Sequence, residues 1–148
     1  MDSLKQLETT LEQYFVKKAP ALPANIKDLI VKFAPYLSII SAVITVPAIL
    51  VLFGLGSIAT TLAPMAGVSG VNALPTMWLG ILLLIPVVVL EIMAIPGLFA
   101  RSIKGWRYVY WAQLISVASN LVQLNIVGAI IGAIIGFYFI FQIKSHYK

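Results

Sequence analysis

The sequence predicts an all-α integral membrane protein, with four transmembrane helices in a compact bundle preceded by an amphipathic, cytoplasmic or interfacial N-terminal arm. Three observations carry this expectation. Hydrophobic residues fill 61% of the 148 positions and charged residues only 10%, whereas soluble domains carry roughly 25% charged. Between Phe33 and Ala100 the one charged side chain is Glu91, and from Tyr108 to Ile143 there is none. A spanning helix needs about 20 mostly apolar residues, so each of these blocks has room for two. Finally, the 10 Lys and Arg residues cluster outside the two blocks, which suits a topology signal better than a nucleic-acid surface.

The arm occupies residues 1–33. Leu4, Leu7, Leu11 and Tyr14 or Phe15 recur at steps of three and four, and Ser3 with Gln6 fits a capping box, so residues 3–18 read as an amphipathic helix. Pro20 and Pro23 end it. A second short helix over 23–33 sets Ile26, Leu29, Ile30 and Phe33 on one side and Lys27, Asp28 and Lys32 on the other. Such a stripe beside a span lies in the interface with its lysines towards anionic headgroups. It anchors topology, or alternatively docks on a protein partner.

The transmembrane domain occupies 34–148. A first span over about 35–56 is followed by a loop from Ser57 to Pro75, marked by Pro64, Gly67, Gly70 and Pro75. The second span covers about 76–100. The last block breaks at Gln123-Leu124-Asn125 into spans of about 108–123 and 126–143. One long tilted third span is the alternative, and charge decides against it. Lys5, Lys17, Lys18, Lys27 and Lys32 precede the first span, Arg101, Lys104 and Arg107 lie between the second and third, and Lys144 and Lys148 follow the last. Four spans put all of these on one side, as the positive-inside bias requires. The expected location is a plasma or inner membrane with both termini cytoplasmic. Tyr36, Trp106, Tyr108, Tyr110, Trp111 and Tyr138 then fall near the inner boundary and Trp78 near the outer one.

Chemistry is sparse. There is no Cys and a single His, so thiol catalysis, disulfides, Cys-based metal sites and histidine clusters are excluded. No P-loop, nucleophile triad or carboxylate pair is present, and neither enzymatic activity nor a cofactor is expected. The loop formed by Arg101, Lys104, Trp106 and Arg107 is chiefly topogenic; with Lys27 and Lys32 it supplies the expected contacts to anionic lipid headgroups.

Glu91 needs an explanation, because a charge at the bilayer centre costs about 2.5 to 3.5 kcal/mol on insertion scales. Ten residues separate it from Arg101, roughly 15 Å along a helix and close to the midplane. Ser38, Ser41 and Thr45 make one polar stripe, and Gln113, Ser116, Asn120 and Gln123 another. The expected arrangement is a shared interior in which Glu91 bonds to Ser41, Thr45, Ser116 or Asn120. Its role is either interhelical adhesion or a proton or cation site. Pro86 and Pro96 bracket the acid, and Pro47 interrupts the first span. Gly128, Gly132 and Gly136 form a tandem G-x-x-x-G run, a face for close backbone approach by a helix of the same chain or of a second copy.

These features lead to a small multi-pass membrane protein that is a structural, scaffolding or regulatory component of a membrane assembly, its partners being the bilayer and a homo-oligomer or another membrane protein. The alternative is a small proton- or cation-coupled transporter or channel, acting as an oligomer with Glu91 as its titratable site.

Overall fold

The computed structural model describes residues 2–62, 65 and 73–148, and every element among them is helical. Helix α1 (Asp2–Glu12) continues into a π-helical segment, Gln13–Lys18. Then come α2 (Ala24–Leu62), α3 (Ala73–Phe99), α4 (Ile103–Val122) and α5 (Ile126–Ile143), closed by a 3₁₀ turn at Lys144–His146. Three helices are long and apolar enough to cross a membrane: α2 over Ala24–Ala59, α3 over Trp78–Phe99, and α5 with its following turn over Ile126–His146. Helix α4, at 20 residues, is long enough, but Lys104, Arg107, Gln113 and Asn120 lower its apolarity and it is not among them.

Three boundaries differ from the sequence expectation, the simplest being that α4 begins at Ile103 and not near Tyr108. The break expected around Phe33–Pro35 does not occur, because α2 is a single helix of 39 residues containing both Pro35 and Pro47. Proline removes one backbone donor, but packing holds the helix on both sides of Pro35, where Val31 and Ala42 are buried, as is Pro35 itself. At about 58 Å, α2 is nearly twice the hydrocarbon thickness. The expected 57–75 loop is also shorter than its sequence suggested, since Ser57–Leu62 continues α2 and Ala73–Pro75 begins α3. The remainder of that loop, except Met65, lies outside the described residues.

Successive helices pack in antiparallel pairs. Tyr36 meets Phe99, Ser41 meets Glu91 and Phe53 meets Trp78, which fixes the register of α2 on α3. Between α3 and α4 the backbones touch: a Cβ built on Gly97 would stand 2.6 Å from Gly105 Cα. Arg101 turns the chain there with φ 49°, and Ser102 caps α4 by accepting from the Lys104 N–H at 3.3 Å. The α4–α5 turn falls at Gln123–Asn125, where Leu124 has φ 59° and Asn125 caps α5 by accepting from the Gly128 N–H at 3.0 Å.

The densest packing lies at the end of the bundle where the termini meet. Val31, Leu98, Trp106, Tyr110, Phe137 and Phe141 are buried together there. Trp106 stacks on Tyr110 with centroids 5.6 Å apart and donates from Nε1 to the Ile140 carbonyl at 2.7 Å. The sequence placed both rings at the lipid interface, but they are 1% and 2% exposed. Their polar tips are withdrawn from the boundary because α5 and the arm cover them.

The arm packs on its own chain. Phe15 lies against Phe137 and Phe141. The Gln142 amide donates to Phe15 O at 2.7 Å and its oxygen accepts from the Leu22 N–H at 3.3 Å, while Tyr138 donates to Pro20 O at 2.7 Å. Lys144 bridges Glu8 at 2.9 Å and Glu12 at 2.7 Å.

Candidate functional site

Glu91 lies in α3 between Pro86 and Pro96 and is half-buried. Ser41 of α2 donates its hydroxyl to Glu91 Oε2 at 3.0 Å. Thr45 lies one turn further along α2, half-buried. Among the described residues no hydrogen bond joins Thr45, Ser116 or Asn120 to the acid, so of the four partners expected only Ser41 reaches it. No group of three or more acidic or histidine side chains suited to a metal ion occurs among the described residues.

The polar residues of α4 are engaged within α4, with α5 and with the turn between them. Asn120 donates to the Ser116 carbonyl at 2.9 Å and accepts from Asn125 at 3.0 Å. Gln123 donates to Ser119 Oγ at 3.0 Å. Gln113 donates across to the Gly132 carbonyl of α5 at 2.8 Å. The stripe holds these groups on one side of α4 because they recur at helical spacing; what they bind is set by α5, which covers the upper part of that side.

Beside this stripe is a cavity of about 280 Å³, with Ser116, Ser119, Asn120 and Gln123 on one side and Leu52, Leu84 and Val87 opposite. Val87 is one turn, about 6 Å, before Glu91 along α3. The acid itself does not line the cavity. On the far side of Glu91, Ala94 and Leu98 belong to the aromatic core that fills the end of the bundle.

Within the chain, the glycine run of α5 does not receive a helix backbone. The nearest atoms to a Cβ on Gly136 would be those of the Gln113 amide, those to a Cβ on Gly128 the Asn125 cap, and Gly132 has nothing within 4 Å. The pattern matched backbone contact, but bulky neighbours, Ile131, Ile134 and Ile135, point outward beside it. Close glycine contact occurs instead at Gly97 and Gly105, eight residues apart but on facing helices.

Of the expected headgroup contacts, Lys32, Arg101, Lys104 and Arg107 are exposed and Lys27 is half-buried, all at the end where the termini meet. Two features there were not foreseen. Lys144 bridges two acids whose four-residue spacing on α1 was the available signal. Tyr147 is buried with its hydroxyl unpartnered among the described residues, and burial, opposed by the charge of Arg101, pushes its phenol up to about 12.

No protein-family model, curated protein or solved structure matches the chain.

Proposed function

We propose that the chain is a non-enzymatic, four-span membrane protein with both termini on the cytoplasmic side of a plasma or inner membrane, and a structural or regulatory component of a membrane assembly. The observation that carries this reading is the engagement of its polar side chains within the chain: Ser41 with Glu91, Gln113 with the Gly132 main-chain carbonyl, and Asn120 with Asn125 at the α4–α5 turn. Such bonds hold helices together where lipid offers no alternative partner. The aromatic core supports it further, because Trp106, Tyr110 and Phe141 are packed together on the terminal side of Glu91.

Helix α4 counts as the fourth span because it packs between α3 and α5, which cover Ser119 and partly cover Gln113, Ser116 and Asn120. The chain has no cysteine, so single-cysteine labelling is clean. In oriented vesicles, cysteine at Leu124 labels from the side opposite to cysteine at Ala100, in the turn between α3 and α4. Labelling of both from one side removes α4 as a span.

The assembly role is tested by extracting the tagged chain from its source membrane into polymer nanodiscs. A membrane protein retained at fixed stoichiometry supports it; a chain recovered alone at every extraction condition contradicts it. A second reading, a proton or cation pathway through an oligomer, draws on the cavity of about 280 Å³, polar along its α4 side, that ends one turn from Glu91.

A further inference from the structure

We propose that the recess where α2 crosses the end of α3 binds the phosphate of an anionic phospholipid. The recess has a volume of about 170 Å³; Val31 and Leu98 form its floor, and Lys32, Tyr36 and Arg101 rim it. It therefore offers two cations and a phenol donor above an apolar base.

No protein anion competes for these cations. Among the described residues neither Lys32 nor Arg101 forms an ion pair; Glu8 and Glu12 bridge Lys144, and Asp28 Oδ1 lies 3.3 Å from His146 Nδ1. Glu91 is bonded to Ser41. The main chain at Arg101 is also held in place, since its N–H donates to the Leu98 carbonyl at 3.1 Å and its own carbonyl accepts from the Lys148 N–H at 2.9 Å. A guanidinium matches phosphate oxygens in fork geometry.

The surroundings fit a lipid better than a free anion. Tyr36 packs edge-on against Phe99 at 5.4 Å and lies 6.4 Å from Phe33, and all three rings are about half exposed. Beyond them Leu37 and Ile40 continue an outward apolar path for acyl chains along α2. Arg101 stands roughly 15 Å along the chain from Glu91, the depth at which phosphates lie if the acid is near the midplane. The absence of a carboxylate at the rim gives no partner to a choline ammonium, so the recess selects against zwitterionic lipid. The inference rests on the membrane reading above, but its test reads lipid binding and is independent of whether an assembly partner is found.

The experiment is native mass spectrometry of the full chain in detergent, titrated separately with phosphatidylglycerol and phosphatidylcholine. Phosphatidylglycerol is retained in preference, and K32Q/R101Q weakens it about 30-fold, the product of two surface cations near a lipid phosphate. Both residues are exposed, so the variant keeps the wild-type melting temperature. K17Q/K18Q removes the same charge elsewhere and leaves binding unchanged. Equal retention of the two lipids, an equal loss in K17Q/K18Q, or release of the lipid by millimolar inorganic phosphate each overturns the proposal.

Discussion

Ser41 donates its hydroxyl proton to Glu91 Oε2 at 3.0 Å, linking α2 to α3 across sequence positions fifty apart. Helix α2 is the least enclosed of the apolar helices, with 11% of its apolar window buried against 28% for α3 and 33% for α5. It packs mainly on α3, so this polar bond sits in its principal interface. A double-mutant cycle of S41A and E91A should return a coupling of about 0.6 kcal/mol, the average for interhelical bonds in membrane bundles, and no more than about 1.7. E91Q keeps an acceptor oxygen for Ser41 and is expected to unfold at the wild-type denaturant midpoint. A vanishing coupling would detach the bond from α2 docking.

Glycine substitutions should separate the two glycine pairings. At Gly105 any Cβ meets the α3 backbone, which cannot yield as a flexible side chain does. G105A is expected to cost more than about 2 kcal/mol, within the range for overpacked sites. Gly132 faces open space, and alanine favours the helix, so G132A is neutral or stabilising by up to about 1 kcal/mol. Steric trapping or detergent unfolding reads both. The opposite ranking would move the tight helix contact to α5.

The arm is held by packing more than by charge. Phe15 lies on Phe137 and Phe141, whereas the Lys144 bridges to Glu8 and Glu12 are partly open to solvent. F15A is expected to release the arm at a cost of about 2 kcal/mol, and K144Q to cost under about 1 kcal/mol. Hydrogen exchange of amides 2–18 reports the release directly. Equal deprotection in the two variants would assign the docking to the ion pairs.

Tyr147 makes stability fall in alkali. Its phenol is pushed up to about 12 by burial, so between the ordinary value near 10 and that value the folded chain binds more protons than the unfolded chain. Stability attributable to Tyr147 is therefore complete below pH 10 and is lost as pH rises towards 12, by about 2 kcal/mol. The difference between wild type and Y147F across this window measures it. Y147F also removes a buried hydroxyl without a partner among the described residues, so at neutral pH it should not destabilise.

The helices from about Tyr108 to Ile143 were readable because their signals are local, although α4 begins five residues earlier, at Ile103. The turn at Gln123–Asn125 needs only an Asn cap and one residue in the left-handed region, and α5 starts at Ile126 as expected. The continuity of α2 through Pro35 was not readable, because it depends on Val31 and Pro35 being buried by other helices. Trp106 and Tyr110 misled for the same reason: their neighbours Phe137 and Phe141 come from a helix some thirty residues away. At the candidate site, helical spacing found Ser41 opposite Glu91. It could not show that Asn120 would meet Asn125 at the turn, which removes it from the acid.

Proton flux into proteoliposomes under an imposed pH gradient, measured for wild type and E91Q side by side, tests the central claim that the membrane acid joins helices. Both preparations should acidify no faster than protein-free liposomes, with E91Q as stable as wild type. Flux through the wild type that disappears in a folded E91Q would contradict the account and make Glu91 a transport site.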